Sequence, residues 1–183
     1  MERPVFDIKG SERIVSHNRY IAIPLPKELE RNWWNLRYDN FPDIRLDILI
    51  KYMRKKPHIT LDFRRKISLQ QIYKMDEFIY YNLNWLRGAT VQINGLAIIG
   101  NKRTAALVGI INCSEEITEF QKRLSYEFPN PTFKFLPHLN IEEVPNQALL
   151  LNAKRVIDQV GNYSSSKAQI EGLYADHKIT QIS

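Results

Sequence analysis

The 183-residue chain has one cysteine, Cys113, which excludes an intramolecular disulfide and leaves no cluster of thiolates to hold zinc. That scarcity fits a reducing compartment, and the cytoplasm is the expected location. Long apolar runs are also missing: stretches such as "RYIAIPL" are strand-length and bounded by charge, so no membrane span is expected. The opening "MERPVFDIKGSER" carries charges where a signal peptide would need an unbroken apolar centre. Histidine is sparse at four, and His17 and His177 show no His-x-His or His-x-x-x-His spacing. With no carboxylate in a ligand pattern beside them, neither a metal nor any other cofactor is expected. Low-complexity tracts and convincing linkers are absent too, so the chain reads as one domain. What remains is a 44% hydrophobic sequence, enough for a compact core. Lys and Arg outnumber Asp and Glu by 26 to 20, giving a net charge of +6 that favours anionic partners: nucleic acid, nucleotides or acidic membranes.

The order of apolar patterns is written twice. "RYIAIPL" (19–25) reads as a strand, and "KELERNWWNLRY" as a helix with Leu29, Trp33 and Leu36 at helical intervals. "DIRLDILIKYMRK" repeats the helical period, "PHITLDF" returns to strand alternation, and Ser68 caps a helix that groups Leu69, Ile72, Phe78 and Ile79. A strand pair, "ATVQINGLAIIG" and "TAALVGIINC", leads into the second copy. There a strand ending at Cys113 is followed by Ser114 as N-cap, a helix from Glu115, the strand "PHLNIEE" and the helix "NQALLLNAKRVIDQV". Closing strands are expected at "KAQIEGLYA" and "HKITQIS", with a turn around Asp176. The expected architecture is a single bilobal domain with lobes near 19–98 and 99–183 and exchange of strands between them.

Each copy contains Pro-His on a strand, and His58 and His138 lie 80 positions apart. One Pro-His on a strand carries little meaning, but two at equivalent points of a repeat invite a joint role. Side chains two apart on a strand share a face, so His58 sits with Thr60 and His138 with Asn140. A rough twofold axis would bring both pairs to one cleft. Two imidazoles and two neutral donors suit a phosphodiester: one imidazole takes a proton from the attacking oxygen and the other gives one to the leaving oxygen. Thr60 and Asn140 would hold the non-bridging oxygens.

These residues resemble the 2H phosphoesterases, whose signature is two His-x-Thr/Ser motifs, commonly after proline, on equivalent strands. The resemblance runs from about Arg19 to Ile182 and takes in "RYIAIPLP" and the small-residue segment "INGLAIIGNKRTAALVGI". It implies an α/β (α+β) fold with a pseudo-twofold axis, two antiparallel sheets facing a central cleft and helices outside. It implies His58 and His138 as the acid/base pair and Thr60 as the phosphate-binding hydroxyl. Asn140 departs from the family's Thr or Ser while still offering an N–H donor. The implied substrate is RNA-like or a cyclic nucleotide; family members also include phage anti-CBASS nucleases that degrade cyclic oligonucleotides. The rival readings are a viral or phage degrader of cyclic or 2′,5′-linked signals, and a non-catalytic RNA-binding module favoured by Asn140.

Other candidates for the substrate come from position. Tyr20 on the opening strand and Tyr174 on a closing strand are placed to meet a nucleobase, and Glu171 to accept from a base or ribose. Trp33, Trp34 and Tyr38 also offer stacking faces, although one of two adjacent tryptophans on a helix belongs in the core. Positive charge from Lys51 to Lys66, opposed only by Asp62, brackets the first histidine strand. Cys113, at a strand end, reads as packing.

Overall fold

A computed structural model describes residues 17–40, 57–100, 105–144, 147–160, 162–175 and 178–181. The helix expected at "DIRLDILIKYMRK", the turn around Asp176, and Lys51, Arg54, Lys55 and Lys56 lie outside the described residues.

The chain opens with β1 (His17–Pro24), α1 (Lys27–Asn40), β2 (His58–Ile67) and α2 (Leu69–Asn82), which runs into a 3-10 turn at Leu83–Leu86. Then follow β3 (Thr90–Ile99), β4 (Ala106–Cys113), α3 (Glu115–Glu127), β5 (His138–Glu143) and α4 (Gln147–Val160). Three short strands close it: β6 (Ala168–Gln169), β7 (Gly172–Ala175) and β8 (Lys178–Gln181). The expected mixed α/β fold is present. Two four-stranded sheets are antiparallel throughout, one ordered β2-β1-β7-β8 and the other β5-β4-β3-β6. Both sheets draw strands from both halves of the sequence, since β3 joins the second and β7 and β8 join the first.

The segment expected as one closing strand, "KAQIEGLYA", divides into β6 and β7, which serve different sheets. The break falls at Ile170, whose N–H donates to Ala89 O while its side chain is buried. This edge bond lets the chain leave one sheet and enter the other without an orphaned buried amide.

Alternation buries Ile21 and Ile23 of β1, Ile59 and Leu61 of β2, and Leu139 and Ile141 of β5 in one contiguous core shared by both sheets. Leu29, Trp33 and Leu36 of α1 join it, one turn apart as the sequence spacing requires. On α2 the buried residues are Met75 and Ile79, while Leu69 is exposed, contrary to the expected face. Leu69 occupies the first helical position. Its neighbour Ser68 caps the helix through its hydroxyl, and Gln71 returns the bond in a capping box. Ser114 is the N-cap residue of α3 by position but spends its hydroxyl elsewhere: Thr90 N–H donates to it and Ser114 N–H donates to Thr90 O. The helix start is thereby pinned to β3. Gly109 in β4 sits in close quarters, because a Cβ there would lie 3.0 Å from Ile93 Cγ2 and would press on that side chain.

Candidate active site

The two histidine strands are built alike to a depth the sequence does not display. His58 opens β2 opposite Pro24 of β1, and His138 opens β5 opposite Ile110 of β4. The residue after each partner, Leu25 or Ile111, donates its N–H to the carbonyl of the proline before the histidine, at 3.0 and 3.1 Å. Thr60 then pairs with Ala22 and Asn140 with Val108. At the next residue each strand carries a one-residue bulge, leaving Leu61 and Ile141 without a register partner.

The bulge turns the following residue to the other face. Without it, Asp62 and Glu142 would stand on the same side as the histidines. With it they oppose Ile21 and Leu107, both core residues, and are themselves buried. A carboxylate taken out of water needs a cation or several donors. Asp62 accepts from Arg64 Nε at 2.5 Å and from Asn130 Nδ2 at 3.0 Å. Arg64 also donates to the carbonyls of Phe128 and Pro129, and Asn130 donates to Phe63 O. These bonds fasten β2 to the loop that leads into His138. In the other direction, Arg37 Nη2 of α1 donates to Glu142 Oε2 at 2.8 Å, and Trp33 Nε1 donates to Asn140 O at 2.8 Å. Each histidine strand is thus tied to a segment from the opposite half of the chain. Burial raises the pKa of Glu142 despite the opposing pull of Arg37.

Asp62 and Glu142 are not among the residues that the sequence singles out. A signal exists, because "HITLD" and "HLNIE" share an acid four residues after the histidine. Plain alternation assigns that acid to the histidine face, and only the bulge sends it into the core.

β2 and β5 are the outer strands of their sheets and pack against each other. Their core-facing residues are fully buried, whereas His58, Thr60 and His138 are half-buried and Asn140 is exposed, so both motifs look away from the core. On the first sheet, Tyr20 meets the His58 ring edge to face at 5.0 Å, and its hydroxyl lies 3.2 Å from Thr60 Oγ1. Tyr174, opposite Ala22 in register, brings its ring to 6.2 Å from that of Tyr20. Glu171 is exposed just ahead of β7, and among the described residues no hydrogen bond ties it to this group. Trp33 is buried in the core and meets Trp34 edge-on at 4.6 Å, Trp34 is partly buried, and Tyr38 beside it is exposed.

His138 Nδ1 lies 2.7 Å from Leu136 O. A carbonyl can only accept, so Nδ1 carries the proton and Nε2 is the atom left to exchange one. Cys113 is half-buried, and burial pushes its thiol up to about 12, which keeps it protonated and fits a packing role. Among the described residues no group of three or more His, Cys, Asp or Glu side chains converges as a metal site would require, and no helix is long and apolar enough to cross a membrane.

No protein-family model and no curated protein matches the chain at the level of sequence. Solved structures do match its fold. TT0787 of Thermus thermophilus is 13% identical with a TM-score of 0.60, covering 87% of each chain. LigT of E. coli, complexed with 3′-AMP, is 15% identical with a TM-score of 0.55 over 88% of this chain and 87% of that one. Usb1 of Kluyveromyces marxianus, with uridine monophosphate, is 10% identical with a TM-score of 0.52 over 90% and 97%. These likenesses show that the chain shares the fold of those three proteins.

Proposed function

We propose that the chain is a metal-independent 2H-type phosphodiesterase that cleaves RNA-like or cyclic (oligo)nucleotides with His58 and His138 as general base and general acid. The observation that carries this reading is the duplicated strand geometry: histidine, neutral donor, bulge and buried acid recur in the same order on two strands packed against each other. A structural accident of two Pro-His pairs would not repeat the bulge and the proline carbonyl bond as well. That LigT is seen with 3′-AMP and Usb1 with uridine monophosphate supports a nucleotide-type substrate.

In this mechanism one neutral imidazole removes the proton of the attacking oxygen, the P–O bond to that oxygen forms, and the bond to the leaving oxygen breaks. The other imidazole supplies the leaving oxygen's proton. Attack by a substrate 2′-hydroxyl yields a 2′,3′-cyclic phosphate and a free hydroxyl; attack by water yields a linear monoester. When Tyr20 donates to Thr60 Oγ1, the Thr60 proton is left for a non-bridging oxygen. Asn140 supplies an N–H from the other strand. Tyr20 and Tyr174, whose rings lie 6.2 Å apart, flank the base, and Glu171 is the candidate acceptor for a base or ribose hydroxyl.

The test is a substrate panel with EDTA present: cyclic dinucleotides, 2′,5′-oligoadenylate and RNA ending in a 2′,3′-cyclic phosphate. At least one is expected to be turned over without loss on chelation. Activity abolished by EDTA and restored by a divalent ion would overturn the metal-independent mechanism. Turnover confined to cyclic or 2′,5′-linked oligonucleotides would assign the protein as a degrader of such signals.

Asn140 provides a second test. Asn140→Thr is expected to keep or raise turnover, because a hydroxyl at that place restores the pattern of Thr60. Asn140→Leu, similar in bulk but without a donor, is expected to lower it roughly tenfold or more. Both variants are to be compared at matched folding by circular dichroism. An active leucine variant would show that the amide does not hold phosphate.

A further inference from the structure

The face of the first sheet that bears His58 and Thr60 continues along β2. The same bulge that buries Asp62 returns Phe63 to that face, opposite Tyr20, with the two rings 6.3 Å apart. Phe63 is half-buried, and the Arg65 guanidinium lies over its ring at 5.5 Å. Arg65 and Lys66 are exposed. Arg64, between Phe63 and Arg65, is already committed to Asp62 and two carbonyls, so the cations presented to solvent here are Arg65 and Lys66. The Tyr20 ring lies 5.0 Å from the His58 ring and 6.3 Å from the Phe63 ring, so Phe63 stands past Tyr20 on the same face as His58. A nucleotide held by its phosphate at His58 and Thr60 can lay its own base against Tyr20. Phe63 and Arg65 extend the same face beyond Tyr20, where the next nucleotide of a chain would run.

We infer that Phe63 and Arg65 form a subsite for a flanking nucleotide, Phe63 stacking its base and Arg65 meeting its phosphate. The site then selects oligonucleotides over mononucleotides. This rests on the phosphodiesterase reading for the place of the scissile phosphate. An aromatic face beside exposed cations is the combination that binds single-stranded nucleic acid without demanding a particular base. Phe63 faces away from the core, and the buried carboxylate nearby is satisfied by Arg64 and Asn130, so Arg65 is not needed to neutralise it.

The experiment measures kcat/KM for mono-, di- and trinucleotides ending in a 2′,3′-cyclic phosphate. For the wild type, kcat/KM is expected to rise with length. In Phe63→Ala the ratio of trinucleotide to mononucleotide falls about tenfold, the size of one lost base stack. Phe63→Tyr, which keeps the ring, restores the ratio, and Arg65→Ala lowers it while flattening the salt dependence of trinucleotide binding. A general folding defect would lower all lengths alike and leave the ratio unchanged. A ratio in Phe63→Ala equal to that of the wild type, or no length dependence in the wild type, would overturn the subsite. Fluorescence anisotropy with a 3′-phosphorylated trinucleotide separates the two claims. Binding weakened by Phe63→Ala in a protein that turns over no cyclic phosphate keeps the subsite and refutes the enzyme. Mononucleotide turnover with no gain from length does the reverse, and neither binding nor turnover refutes both.

Discussion

Replacing either His58 or His138 by alanine is expected to cut turnover by at least about a hundredfold while leaving nucleotide binding nearly intact, since proton transfer by a placed side chain contributes that much. The two imidazoles act on one displacement, so the double variant should fall little further than the worse single one. The expectation comes from their placement: each opens an outer strand, each follows a proline whose carbonyl is bonded by the neighbouring strand, and the two strands pack together. Because one group must be neutral and the other charged, the wild-type rate should follow a bell-shaped pH profile, and each alanine variant should lose one limb of it. His138 also offers a geometric control. Its Nδ1 is held by Leu136 O, so His138→Gln retains polarity and bulk but cannot act as a proton donor and acceptor in turn, and should be as slow as His138→Ala. Normal turnover in either alanine variant would remove the dyad.

Much of this arrangement is legible in the sequence because it rests on short-range periodicity. The strand at Arg19, the helix at Lys27 with Leu29, Trp33 and Leu36 inward, the Ser68 cap and both Pro-His strands all appear near where alternation and helical spacing place them. The adjacency of Tyr20, His58 and Thr60 follows from strand pairing, which a repeat makes easier to guess than a single copy would. What cannot be read depends on pairing register. The division of "KAQIEGLYA" between two sheets is decided by which edge each piece meets, and both pieces carry the same strand signal. The inward turn of Asp62 and Glu142 is decided by one unpaired residue in each strand, and Leu61 and Ile141 look like any other apolar position. The basic run around His58 reads as one patch, yet among its described members Arg64 is bound to a buried carboxylate and only Arg65 and Lys66 are exposed.

The second large effect concerns stability and lies behind His138. Arg37 is fully buried on α1, stacks its guanidinium 5.7 Å from the Trp33 ring centroid, and donates to Glu142, four residues after the histidine. Arg37→Met keeps much of the bulk but leaves Glu142 buried without its cation. Breaking one side of a buried pair costs about 3–5 kcal/mol, a large share of the stability of a domain this size. Replacing both residues, as in Arg37→Met with Glu142→Leu, should recover most of that loss, because an apolar pair of similar volume has no charge to desolvate. The pH dependence has a definite sign. Burial already holds the Glu142 pKa above its usual value, and loss of the lowering pull of Arg37 moves it further up. A carboxyl whose folded pKa is raised contributes stability that is present below the unfolded pKa and is lost as pH rises through the folded one. The deficit of Arg37→Met should therefore be small at acidic pH, where Glu142 is protonated, and should grow toward neutrality. Urea unfolding of the wild type, the single and the double variant at about pH 4 and about pH 7.5 measures this directly. A single variant as stable as the wild type near neutral pH would show that the pair does not hold α1 to the histidine strand, and a deficit independent of pH would assign the loss to packing around Trp33 instead of to the carboxylate.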